Sequence, residues 1–174
     1  MTLCGVAQLE REALEAGLLL RLKVTRPLNL WSLRLVVADY VDPKKVRILG
    51  EMKAWAYHGV SGLQLDTMRV HPNAPAGVGH LVWAATMAWA LEQTPCGKAR
   101  LLAICDGEDQ HLRLVRYFSR RGFKPVREVG SAPIDLPLRM VWGGSGVLMV
   151  ANCSEVFQRS FRLWQTYNEL KRRN

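Results

Sequence analysis

One stretch restricts the fold more than any other: His80–Glu92, HLVWAATMAWALE. It reads as a helix with Trp83, Met87 and Ala90 on one face and few polar residues elsewhere. A helix that is apolar all round has to be buried all round, so the rest of the chain must cover it on every side. Pro95 and Gly97 end it. Before it, Leu63–Val70 (LQLDTMRV) reads as a strand that alternates Leu63, Leu65 and Thr67 against Gln64, Asp66 and Met68. The small-residue loop Pro72–Gly79 joins the two. After the helix, Arg100–Cys105 (RLLAIC) has the unbroken apolar character of a strand buried on both faces.

The flanking segments supply the cover. Residues 6–22 read as a helix with Leu9, Ala13, Ala16 and Leu20 on one stripe. Ser32–Val41 is a β-branched strand, Asp42-Pro43 a turn, Val46–Tyr57 a second strand and His58–Gly62 another turn. Short turns between successive strands imply an antiparallel meander ending in Leu63–Val70. Gln110–Arg121 reads as a basic amphipathic helix closed by Gly122, with Phe123–Val129 as a strand after it. Ser131–Pro137 is a loop. Leu138–Ala151 reads as a strand interrupted at Gly143-Gly144, or as a hairpin around those glycines. Ser154 is placed to cap a last helix, in which Phe157, Phe161 and Trp164 pack on the sheet. The expected fold is therefore α/β: a mixed, largely antiparallel central sheet with helices on both faces. Residues 1–174 form one domain in this reading. A helix and antiparallel strands fill 1–60, the βαβα centre 61–130, and a strand and helix 131–174.

Several function classes lose support at once. Cys4, Cys96, Cys105 and Cys153 show no CxxC or Cys…His ligand spacing, so no metal is expected. Cys105 and Cys153 border apolar runs, as buried free thiols do. Met1–Thr25 lacks the features of a signal peptide, and no apolar run approaches the ~20 residues of a membrane span. A cytoplasmic setting is expected. The net charge is +9, which attracts polyanions without choosing among them. Its densest part, His111–Arg127, carries Arg113, Arg116, Arg120, Arg121, Lys124 and Arg127 with no acid between them.

Chemistry is most legible in Leu65–Leu81, LDTMRVHPNAPAGVGHL. A strand ends at Val70-His71-Pro72, and a helix begins near Gly77. Backbone N–H groups at such a helix start are unpaired and favour an anion. Glycine lets a phosphate approach the main chain closely. Downstream stands Arg116–Val126, RYFSRRGFKPV. Together these resemble the GCN5-related N-acetyltransferase superfamily, whose signature is V-x-P…G-x-G over a strand–loop–helix. A helix ending in an aromatic residue, a short spacer and Gly-Phe follows. Val70, Pro72, Gly77, Gly79 and Phe118–Gly122–Phe123 occupy those places, and the match spans about residues 45–150.

The resemblance implies an acyl-CoA seat, with acetyl-CoA as acyl donor. The pyrophosphate would lie over the amides of Ala76, Gly77, Val78, Gly79 and His80. The pantetheine arm would run along Met68–Val70, in a splay between parallel strands. An amide near Met68 would polarise the acyl carbonyl. Arg120, Arg121 or Lys124 would meet adenosine phosphates, solvated surface being the alternative.

The chain also departs from the pattern. Ala74 stands where the family carries Arg or Gln, and Pro75 removes one N–H donor. The loop is a residue short, and His111 replaces a frequent Asn. The usual thiolate-protonating Tyr is Phe118, while Tyr117 beside it is expected to point elsewhere on the helix. Candidate bases are Glu51, Asp66 and His58; solvent-facing strand or turn positions are the alternative for each.

The leading expectation is direct acyl transfer to an amine acceptor, either a small molecule or a protein. Two others stay open. One is a binding, sensing or assembly module on the same fold, with an acidic protein partner. The other is a nucleic-acid-binding protein using Arg113–Arg127 and the basic C-terminus, which carries no recognised nucleic-acid motif.

Overall fold

In the computed structural model, residues 5–57, 59, 61–105 and 107–173 are described. Cys4 and the candidate base His58 lie outside the described residues. Helix α1 (Val6–Glu15) leads into strands β1 (Leu19–Thr25), β2 (Leu30–Asp42), β3 (Lys45–Tyr57) and β4 (Leu63–Val70). Helix α2 (Val78–Gln93), strand β5 (Lys98–Ile104), helix α3 (Glu108–Arg120) and strand β6 (Lys124–Val129) follow. Helix α4 (Leu136–Trp142), strand β7 (Gly146–Asn152) and helix α5 (Cys153–Arg173) complete the order.

The strands form one seven-stranded sheet in the order β1-β2-β3-β4-β5-β7-β6. Neighbours run antiparallel except β4 and β5, which are parallel. The mixed, largely antiparallel sheet expected from the sequence is thus observed. Alternation along the strands separates two faces. Leu33, Leu35, Met52, Ala54, Leu63, Leu101, Ala103 and Met149 enter the main core with α1, α2 and α5. Leu102 and Leu148 face the other way and pack with Val129 and Trp142 of α4. Helices therefore lie on both faces, but α4 covers only the β5–β7 half of the second face and touches β4 through Trp142 alone among its hydrogen bonds.

Helix α2 is the centre of the main core, as its composition requires. Val78, Leu81, Val82, Trp83, Met87 and Trp89 are all buried. It fits closely because Gly50 of β3 has no side chain: a Cβ there would stand 3.0 Å from Val82 and 3.2 Å from Val78.

Four segments differ from the sequence reading. The first helix stops at Glu15, because Gly17 turns the chain at φ +78° and residues 19–25 join the sheet. The meander thus has four strands rather than three. Residues 138–142, expected to be extended, are helical, and their helix begins at Leu136 within the expected loop. Pro137 sits in the first turn, where its missing N–H costs nothing. Just upstream, the buried Asp135 accepts the Gly130 amide at 2.9 Å and pairs Arg127 at 2.8 Å. Helix α5 is capped by Asn152, whose side chain accepts the Ser154 amide at 2.9 Å. This helix packs mainly on α2. Cys105 is exposed, not buried, because the chain leaves the sheet after Ile104, whereas Cys153 is buried. Burial pushes the Cys153 thiol up to about 12, with Cys96 adding to the shift and a backbone hydrogen bond opposing it.

Candidate functional site

The parallel pair is where the sheet opens. Strands β4 and β5 pair only at Leu63–Ala99 and Gln64–Arg100. Beyond Gln64 they part, while each keeps its outer neighbour: β4 stays on β3 to Val70, and β5 stays on β7 to Ile104. The opening follows from a bulge. Lys53 faces Thr67 but Ala54 faces Leu65, so Asp66 is an extra residue in β4. A bulge bends the strand that carries it and increases its twist.

The bulge also settles which way β4 presents its residues. The His71 amide donates to Leu49 O on β3 at 2.8 Å. Backbone groups alternate along a strand, so those of Met68 and Val70 face the opening. The Leu65 carbonyl faces it as well and accepts the Trp142 indole N–H at 3.2 Å. Trp142, from α4 below the sheet, therefore closes the narrow end of the wedge.

At the wide end stands the start of α2. Gly77 caps the helix in a left-handed conformation, φ +95°, which favours glycine. The loop turns through Ala74 N–H to His71 O at 2.9 Å and Asn73 N–H to His71 Nδ1 at 3.1 Å. Val78 N–H is spent on Pro75 O at 3.2 Å, and Leu81 N–H on Gly77 O at 2.9 Å. Among the described residues, the amides of Ala76, Gly77, Gly79 and His80 have no acceptor. Val78, whose N–H is already engaged, therefore drops out of the expected row of donors. Gly79 lies over the side chains of Val70 and Met68, which a Cβ would meet at 3.7 and 3.9 Å. The free amides and the exposed edge of β4 are thus adjacent.

Aromatic and cationic side chains frame this corner. The Trp83 indole N–H donates to the Tyr117 hydroxyl at 3.2 Å, and that hydroxyl lies 3.9 Å from the Met68 sulfur. Tyr117 therefore points toward the wedge strand, contrary to the sequence expectation. Phe118 instead turns inward against Trp83 and Phe123. On a helix these neighbours diverge, and the core claims Phe118 because it lacks a hydroxyl to satisfy.

The Arg121 guanidinium stacks over Tyr117, 3.9 Å from the ring centroid, and lies 5.6 Å from the Trp83 ring. Its Nε is buried without an acceptor. His80 stacks on Tyr167 of α5 with centroids 5.7 Å apart. Burial, then the Arg121 charge, hold the His80 imidazole below its ordinary range.

Glu51 and Asp66 do not join this corner. Glu51 sits opposite Arg69 on the other face of the sheet and pairs with Arg34 at 3.4 Å. Asp66 is exposed at the bulge, where its carboxylate accepts the Thr67 hydroxyl at 3.3 Å. His111 borders a cavity of about 480 Å³ at the end of β5, with Cys105, Leu112, Glu128 and Gly146. Among the described residues no cluster of His, Cys, Asp or Glu is arranged to hold a metal ion, and no helix is long and apolar enough to cross a membrane.

No protein-family model and no curated protein matches the sequence. Solved structures similar at low identity include two acetyltransferases. Nourseothricin acetyltransferase is 15% identical with a TM-score of 0.48, over 82% of this chain and 94% of that one. The aminoglycoside 6'-N-acetyltransferase from Enterococcus faecium is 15% identical with a TM-score of 0.44, over 69% of this chain and 74% of that one.

Proposed function

We propose that the chain is a divergent GCN5-related N-acetyltransferase that transfers an acetyl group from acetyl-CoA to an amine. The observation that carries this is the junction of the β4–β5 wedge with the unpartnered amides of Ala76, Gly77, Gly79 and His80. Those donors, with the dipole of a sixteen-residue helix behind them, suit a diphosphate. The orphaned Nε of Arg121 is a further donor of the right sign. Acetyl-CoA bound there supplies an activated thioester.

The remaining work falls to the chain. Met68 and Val70 present unpaired main-chain groups to an extended pantetheine arm, as an edge strand does to an added strand. A wedge amide at Met68 donates to the acyl oxygen as negative charge develops there. Trp142 blocks the wedge from below and limits the length of the acyl group. The Tyr117 hydroxyl accepts from Trp83 and donates its own proton to the Met68 sulfur 3.9 Å away, a weak acceptor that the proton can leave for a departing thiolate. Asp66 is the better base of the two carboxylates, because it stands where the strands part and Glu51 is paired on the opposite face. The amine acceptor enters from the β5 end, where Glu128 attracts an ammonium group into the adjoining cavity. The protein acts in the cytoplasm.

Calorimetric titration with coenzyme A and with pantetheine tests the seat: coenzyme A should bind and pantetheine should bind far more weakly. Thiol release from acetyl-CoA across an amine panel then tests transfer. Equal affinity for the two ligands would remove the diphosphate seat from the argument. Binding without turnover of any amine would leave a sensing module.

A further inference from the structure

The half of the sheet that α4 does not cover is an open face, and its residues are in register. Directly opposed residues of antiparallel strands share a face, so the pairing of β1 to β4 defines rows across it. Lys23, Arg34, Lys53 and Thr67 form one row. Arg21, Val36, Glu51 and Arg69 form the next, and Thr25, Ser32 and Trp55 the one on the other side. Arg21, Lys23, Arg34, Lys53 and Arg69 are all exposed. Tyr57, on the same face two residues beyond Trp55, is 55% exposed and meets Trp55 edge-on at 5.3 Å. Arg34, Glu51, Arg69 and His71 line a shallow depression of about 300 Å³.

This arrangement works against the stability of the sheet. Like charges directly opposite one another on neighbouring strands are destabilising. Here Lys23, Arg34 and Lys53 stand in line on three strands, about 4.8 Å apart. Glu51 is the one acid among these rows, and it meets Arg34 at 3.4 Å. A polyanion crossing the rows would relieve the repulsion. Arg21 and Lys23 stand two residues apart on β1, about 7 Å along the strand, Lys23, Arg34 and Lys53 continue across to β3, and the surface ends in the half-buried Trp55 and the exposed Tyr57. Phosphates along a cationic sheet with a base stacked on an aromatic ring is the chemistry of single-stranded nucleic acid binding. An acidic protein segment would use the cations but has no need of Trp55 and Tyr57.

We infer that the open face of β1–β4 binds a single-stranded polynucleotide, with Lys23, Arg34, Lys53 and Arg69 on phosphates and Tyr57 under a base. This surface is separate from the acyl-CoA seat and from the basic helix α3. The test is fluorescence anisotropy of a labelled oligo-uridylate with the full chain, across roughly 50 to 200 mM salt. Four phosphate contacts give a log–log slope of about −3, from ~0.7 per phosphate on a single strand. The double variant Arg34→Gln/Lys53→Gln should halve that slope. Tyr57→Ala should weaken binding about tenfold or more with the slope unchanged.

The melting temperature of the double variant separates this from misfolding, because removing opposed cations should leave it level or raise it. Two results overturn the proposal. One is a slope unchanged in the double variant but halved by Arg113→Gln/Arg116→Gln on α3. The other is poly-glutamate binding as tightly as the oligonucleotide, with no loss on Tyr57→Ala, which assigns the face to an acidic protein.

Discussion

Replacing Tyr117 by Phe separates two roles that one hydroxyl performs. The Trp83 side chain is 1% exposed, and its N–H donates to Tyr117 at 3.2 Å. Without that hydroxyl a buried donor is left unsatisfied, at a cost of about 1–3 kcal/mol. For a chain of this size each kcal/mol moves the melting temperature by about 2–4 °C, so a fall of roughly 2–12 °C is expected. In a Trp83→Phe background the same substitution should cost less, with a coupling energy of about 1 kcal/mol. Turnover should fall by about 10²–10⁴-fold, the usual worth of a general acid. Coenzyme A affinity should stay within about twofold. The Arg121 guanidinium can still stack on the phenyl ring, so the corner keeps its shape. Urea unfolding, calorimetry and thiol release on the same preparations give the three readouts. Unchanged turnover would end the assignment of Tyr117 as the acid. A collapse of coenzyme A affinity would show that the hydroxyl only holds the corner together.

Other substitutions probe the same construction. Gly77→Ala should destabilise the fold by about 1–3 kcal/mol, from the left-handed backbone and a Cβ 3.0 Å from Tyr167, and should weaken coenzyme A by calorimetry. Trp142→Phe should cost a similar ~1–3 kcal/mol in urea, because the Leu65 carbonyl loses its donor, and should widen acyl-chain tolerance in turnover assays. The raised pKa of Cys153 means the folded state keeps the thiol proton that the unfolded chain releases. Its stabilising contribution is whole below the ordinary thiol range and is lost as pH rises toward about 12; Cys153→Ala should flatten alkaline unfolding curves over that window. The imidazole of His80 is held below its ordinary range, so stability present above that range is lost as pH falls through the lowered value. Its NMR titration should move up when coenzyme A binds, since a nearby diphosphate favours the imidazolium.

The sequence was most informative where burial and pattern coincide. Helix α2, strands β2 to β4 and the free amides around Gly77 follow from apolar content, short turns and glycine placement. It was least informative where tertiary contacts decide. Leu19–Thr25 continues the helical stripe of α1 on paper, but Gly17 and pairing with β2 make it a strand. Leu138–Trp142 looks extended until Asp135 and the pocket for Trp142 are in place. The direction of Tyr117 is hidden for a similar reason. The spacing to Gly122 singles out Phe118, while the partner that orients Tyr117 is Trp83, thirty-four residues earlier.

The bulge at Asp66 connects these observations. Read with strict alternation, LQLDTMRV sets Thr67 with Leu63 and Leu65, which would carry Arg69 under α2 and Met68 to the far face. A guanidinium without a partner beneath an apolar helix is costly. One extra residue removes the conflict: Leu63, Leu65 and Met68 all meet the main core, and Gly50 pairs with Val70 beneath Gly79. Thr67 and Arg69 turn to the open face and join the rows of Lys53 and Glu51. The same residue bends β4 away from β5, bares its edge and brings Met68 under the Tyr117 hydroxyl. The apolar positions 63, 65, 68 and 70 already contain the shift by one. The wedge, the orientation of its edge and the cationic face behind it are therefore consequences of a single interruption in a strand of eight residues.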